Sequence, residues 1–104
     1  MLQALKTALT NIQGAKVYRY TGIKATPPYI VWAEEGSDDL QLNGVHVEKA
    51  ITGTVDLYTK TEDDPLAASV ESALDSVEGV WNLNSVQYEQ ETGLIHHEWV
   101  FTVI

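Results

Sequence analysis

Residues 50–79, AITGTVDLYTKTEDDPLAASVESALDSVEG, decide the fold. In the first half Ile51, Val55 and Leu57 fall on one face, and Thr52, Thr54, Asp56 and Tyr58 on the other. That alternation, rich in β-branched residues, predicts a strand buried on one side. In the second half Leu66, Val70, Ala73, Leu74 and Val77 recur at i, i+4, i+7, i+8 and i+11. They form one apolar stripe of a 3.6-residue helix, with Ser69, Glu71, Ser72, Asp75 and Ser76 turned to water. Asp64 is suited to cap the helix and Pro65 to its first position, and Glu62, Asp63 and Asp64 set negative charge at the positive end of the dipole. Gly79 is expected to close the helix in a left-handed conformation.

Working outward, a second amphipathic helix is expected over residues 2–13. Leu2, Leu5, Leu9 and Ile12 form its stripe and Gly14 its stop. Its polar face lacks the basic residues of a membrane-surface helix, which leaves packing on a sheet as its role. Residues 17–20 predict a short strand, residues 21–28 a loop ending in Pro27-Pro28, and residues 29–33 a strong strand. Glu34, Glu35, Asp38 and Asp39 surround Gly36 and Ser37, and four acids so close are expected in a solvated loop. Asn43-Gly44, between residues 40–42 and 45–47, signals a two-residue hairpin. After the second helix, residues 80–84 are expected as a connection, 85–90 as a strand, 91–93 as a turn and 94–104 as the last strand. Within it Ile95, His97, Trp99, Phe101 and Val103 share one face.

These elements predict a single α+β domain over residues 1–104, in the order α-β-β-β-β-α-β-β. The architecture is a two-layer sandwich, a mainly antiparallel sheet with two helices packed on one face. A chain of 104 residues buries roughly 65% of its unfolded surface, enough for one core without staples. With no cysteine, disulfides and thiolate metal sites are excluded. No apolar run reaches the roughly 20 residues of a membrane span. The N-terminus lacks a signal-peptide pattern, so the chain is expected to begin at Met1 and to remain where it is made. The net charge of −9 and the scattering of six basic residues argue against specific nucleic-acid binding, which rests on Lys and Arg contacts to phosphate. An acidic surface that repels DNA remains compatible with that charge.

Candidate chemistry is sparse. The acidic stretch lacks the ligand spacing of an EF-hand. In His96-His97-Glu98, neighbours on a strand point to opposite faces, so His96 and Glu98 can share a side but His96 and His97 cannot. No HExxH spacing, nucleophile elbow or phosphate loop is present. The expectation is therefore no catalytic, cofactor or metal residue and no enzymatic activity. Three tryptophans and five tyrosines are many for one small core, and some are expected at a partner interface.

Read in order, PPYIVW (27–32), GSDDL (36–40), NGV (43–45), TVDLYTKTEDDPL (54–66), VESAL (70–74) and ETGLIHHEWVFTV (91–103) resemble the small tail-terminator and tail-completion proteins of long-tailed bacteriophages and prophages. The resemblance spans nearly the whole chain and rests on structural patterns. It implies a non-enzymatic virion protein of the tail or neck, made in the host cytoplasm. Such a protein forms a ring, commonly a hexamer, at the head-proximal end of the tail, where it ends tube growth and joins tail to head. Its implied partners are further copies of itself, the tail tube protein and head connector proteins, with no membrane and no cofactor. By position, the resemblance assigns partner contact to residues 34–42, with Glu34, Glu35, Ser37, Asp38, Asp39, Leu40 and Leu42 as the contacting residues. A head–tail adaptor or completion role is the alternative within this reading. Outside it stand a ligand-binding adaptor, which requires a concave pocket near Trp32 or Trp99, and a small metal-dependent enzyme built on His96, Glu98 or the acidic stretch.

Overall fold

The computed structural model describes the backbone of residues 2–22, 24–42 and 45–104, and the side chains of all of these except residues 38–49. The elements are α1 (Leu2–Thr10), β1 (Lys16–Arg19), β2 (Tyr29–Leu42), β3 (Val45–Thr59), α2 (Leu66–Asp75), β4 (Gly79–Glu89) and β5 (Leu94–Val103). The five strands form one sheet in the order β1-β2-β3-β5-β4. All pairs are antiparallel except β1 with β2. The α+β sandwich is as the hydrophobic periods predict.

Both helices lie on one face. Leu5 and Leu9 of α1 and Val70 and Leu74 of α2 join Ile30, Trp32, Val55, Leu57, Trp99, Phe101 and Val103 in a single buried cluster. The stripes of both helices and the inward face of β3 therefore do what their spacing requires. Two tryptophan N–H groups fasten α2 to the sheet. Trp99 Nε1 donates to Glu71 Oε2 at 3.0 Å, and Trp81 Nε1 donates to Asp75 Oδ1 at 2.7 Å. The fully buried Trp99 indole needs such a partner, and the half-buried Trp81 gains one at the surface.

The start of α2 is held as its sequence suggests. Pro65 already has helical angles (φ −59°, ψ −18°), so Asp64 is the flanking residue, and its Oδ1 accepts the Leu66 N–H at 2.9 Å. The end differs. The helix stops at Asp75, and Gly79 opens β4, where it pairs with Val103. Its φ of +150° lets the backbone run against the Thr102 carbonyl, a space that any Cβ would invade. Gly79 serves close strand pairing and not helix closure. Likewise α1 ends at Thr10, short of residue 13, where the Thr10 hydroxyl donates to the Lys6 carbonyl at 2.7 Å.

Two further expectations change. Residues 80–84 are not a connection but the first half of β4. This strand is an edge, largely exposed along its length, so the apolar residues of its first half carry no burial alternation to extend the strand expected at 85–90. Residues 34–39 are not a loop but the middle of β2, which runs unbroken for 14 residues and merges the strands expected at 29–33 and 40–42. Glu35 is accommodated because its exposed side chain needs no burial, and Glu34 because it has a cationic partner. The Asn43-Gly44 turn itself lies outside the described residues; Leu42 pairs with Val45 on either side of it. The closing hairpin is as expected, turning at residues 90–93 with Gly93 at φ +72°.

Candidate functional site

The register of β3 sets the geometry. Its residues Ile51 to Tyr58 are flanked on one side by β2 and on the other by β5. Before Ile51, among the described residues, only β2 accompanies it, from Asp38 opposite Ala50 to Leu42 opposite Val45. Residues 38–42 and 45–50 are therefore a two-stranded ribbon extending beyond the third strand. A two-stranded hairpin is marginal in water without further cover.

The base of the ribbon is built from β1 and β2. Arg19 Nε and Nη2 donate to Glu34 Oε1 and Oε2 at 3.2 and 2.6 Å, a bidentate pair. The guanidinium also lies 4.6 Å over the Trp32 ring. The Arg19 hydrogen bond holds the Glu34 carboxyl below the usual carboxylate range. Directly after it the register slips by one residue, from Glu34 opposite Gly53 to Gly36 opposite Thr52, leaving Glu35 as a bulge. Gly53 makes this possible: a Cβ there would meet the Ala33 carbonyl, the Phe101 ring at 2.6 Å and Glu34 Cα at 2.9 Å. Beside the bulge Glu34, Glu35, Gly36 and Ser37 line a shallow concavity with Leu2 and Ile51.

All seven residues assigned to partner contact thus fall on one strand. Glu34, Glu35 and Ser37 sit at the base of the ribbon, and Asp38, Asp39, Leu40 and Leu42 occupy its paired backbone positions, with side chains outside the described ones. Arg19 and Gly53 were not singled out from the sequence, since neither has a local pattern that announces its role.

The β4 edge is the second exposed feature. Val80, Leu83, Val86 and Tyr88 are 70%, 44%, 51% and 64% exposed. Residues 79–88 contain no charged side chain, although charge is the usual guard of an open edge.

The face of the sheet without helices carries an aromatic ladder. Tyr29 stacks on Tyr58 at 4.8 Å and Tyr58 on His96 at 4.3 Å. Burial, followed by the nearby acids, pushes the Tyr58 hydroxyl up to about 12. His96 Nε2 lies 2.7 Å from Asp56 Oδ1, and its Nδ1 3.7 Å from Glu89 Oε2. Asn84 Nδ2 donates to Glu98 Oε1 at 2.7 Å. Burial raises the Asp56 carboxyl above its ordinary range, opposed by the His96 hydrogen bond. Among the described residues, Asp56, His96 and Glu98 are the group whose donor atoms converge, lying within 4.8 Å of one another. His97 is on the opposite, helix-covered face, where burial lowers its basicity. The pairing of His96 with Glu98, and not with His97, follows the strand period.

Trp32 and Trp99 are 2% and 0% exposed, packed in the core. Both indoles are thus enclosed by the core and present almost no surface to a ligand of the kind the adaptor reading requires.

Comparison with individually curated proteins finds no match. The model of the family described as tail completion protein gp17 matches residues 1–104, the full length of the chain. No helix among the described residues is long and apolar enough to cross a membrane. The two-helix, five-strand fold and the full-length match agree with the resemblance carried by the ordered motifs, and the chain belongs to the phage tail completion protein family, a structural component of the virion tail.

Proposed function

We propose that the chain is a non-enzymatic ring protein at the head-proximal end of the tail, where it ends tube growth and prepares the tail for the head. The observation that carries this reading is the ribbon at residues 38–42 and 45–50, an arm left without a third strand in a protein of the tail completion family. An isolated ribbon gains stability when a neighbour covers it. Glu34, Glu35, Ser37, Asp38, Asp39, Leu40 and Leu42 are the residues proposed to meet a second copy, the tube protein or a head connector protein. The uncharged β4 edge supplies a further surface for assembly, since backbone N–H and C=O groups on an open edge pair readily with another chain. A net charge of −9 suits a channel through which DNA passes without adhering. Assembly would take place in the host cytoplasm before the protein enters the virion.

The test is genetic complementation of a phage lacking this chain. The reading expects tails that fail to join heads or lose a uniform length, with both defects repaired by the wild-type chain. Normal, infectious particles in its absence overturn the reading.

A further inference from the structure

We propose that Asp56, His96 and Glu98 form a binding site for one zinc-type divalent cation on the helix-free face of the sheet. The register creates it. Asp56 and Glu98 are directly opposite each other on β3 and β5, and His96 precedes Glu98 by two residues on the same face. Each offers one donor atom, and the three atoms lie within 4.8 Å of one another. Ligands around a common zinc ion sit about 2.0–2.2 Å from it, so an ion closes the set by replacing the direct His96–Asp56 hydrogen bond while the terminal side-chain torsions adjust.

The surroundings are those of a supported site. Two carboxylates directly across a strand pair repel each other, and a divalent ion between them reverses that interaction. The imidazole is held from two sides: Tyr58 stacks on it with ring planes 14° apart, and the Glu89 carboxylate lies 3.7 Å from Nδ1. With Nε2 on a metal, Nδ1 has the Glu89 carboxylate nearby, just beyond hydrogen-bond distance, and closing that gap would give the carboxylate–histidine arrangement that commonly orients a ligating histidine. Asn84 holds Glu98 Oε1 from the neighbouring strand at 2.7 Å. One imidazole nitrogen and two carboxylate oxygens favour zinc, cobalt or nickel over magnesium and calcium, which take oxygen ligands. Three protein ligands leave a coordination position for water or for a group from a partner.

This inference is independent of the assembly reading, because a chain that never joins a tail still answers a metal titration. The experiment titrates the full chain with Co²⁺, reading visible absorption, and then displaces it with Zn²⁺. The expected result is one Co²⁺ per chain with absorption characteristic of low coordination number, released by Zn²⁺ and insensitive to millimolar Mg²⁺. Asp56→Asn, His96→Gln and Glu98→Gln should each weaken binding at least tenfold, and His46→Gln should bind as the wild type. Absence of binding by the folded chain, or equal affinity in the three folded variants, overturns the proposal. Should a variant fail to fold, the histidine ring resonances of the wild type decide: Zn²⁺ must shift His96, and a shift confined to His46 or His97 overturns it.

Discussion

The Thr59 hydroxyl donates to Asp64 Oδ2 at 2.5 Å, tying the last residue of β3 to the cap of α2. Thr59 is 1% exposed, and its Oγ1 also accepts the Thr61 N–H at 3.1 Å. Asp64 meanwhile caps the Leu66 N–H. One hydroxyl and one carboxylate thereby fix the turn between the strand and the helix that form the centre of the fold.

Replacing Thr59 with Val keeps the shape and orphans both partners, at an expected cost of about 1–3 kcal/mol. Asp64→Ala should cost about 1–2 kcal/mol through the lost cap. Because the two share one bond, the double variant should lose less than the sum of the singles in urea unfolding.

Gly53→Ala should destabilise by about 1–3 kcal/mol, since the new methyl group must displace the Phe101 ring or the β2 backbone. Gly36→Ala, one bulge position away, meets only Thr52 Oγ1 at 3.6 Å and should be far milder. Thermal unfolding of the two variants side by side checks the contrast.

The Arg19–Glu34 pair predicts an acid limb in stability. Its carboxyl titrates below 4.5 in the folded chain and near that value unfolded. The contribution is therefore complete above about pH 4.5 and is lost as pH falls through the lower, folded value. Glu34→Gln should lower stability at neutral pH and flatten the slope of the urea midpoint against pH in that acid window.

Lysine at Val80 or Val86 should leave monomer stability within about 0.5 kcal/mol, because both side chains are more than half exposed. On the β4 edge the same charge should reduce self-association if that edge pairs with a neighbour. Unfolding midpoints together with sedimentation velocity separate the two effects.

The elements visible in the sequence were those with a buried face. The stripes Leu5–Leu9 and Leu66–Val70–Leu74, and the alternation Val55–Leu57 and Trp99–Phe101, record contact with one core. The first half of β4 left no such record because Val80 and Leu83 face solvent, whereas its second half falls within the strand expected at residues 85–90. The acidic stretch of β2 read as a loop because the features that make it strand, Arg19 beside Glu34 and the room at Gly53, come from other strands. The same holds for the polar cluster. His96 and Glu98 share a side by strand period alone, whereas Asp56 joins them through a β3–β5 register that no local pattern encodes. The parallel pairing of β1 with β2 was likewise invisible, since four residues cannot declare a direction.

The central claim is that the ribbon carries the contact between this chain and its neighbours at the tail end. The most direct measurement is electron microscopy of tails assembled with the wild-type chain or with the triple variant Glu35→Lys, Ser37→Lys and Asp38→Lys. All three positions lie on β2, Glu35 and Ser37 at the base of the ribbon and Asp38 at its first paired position. The account predicts that the triple variant folds with a wild-type unfolding midpoint, leaves tail ends without a ring and yields few joined particles. Rings and joined particles at wild-type frequency, from a folded variant carrying lysine at these three positions, would contradict it.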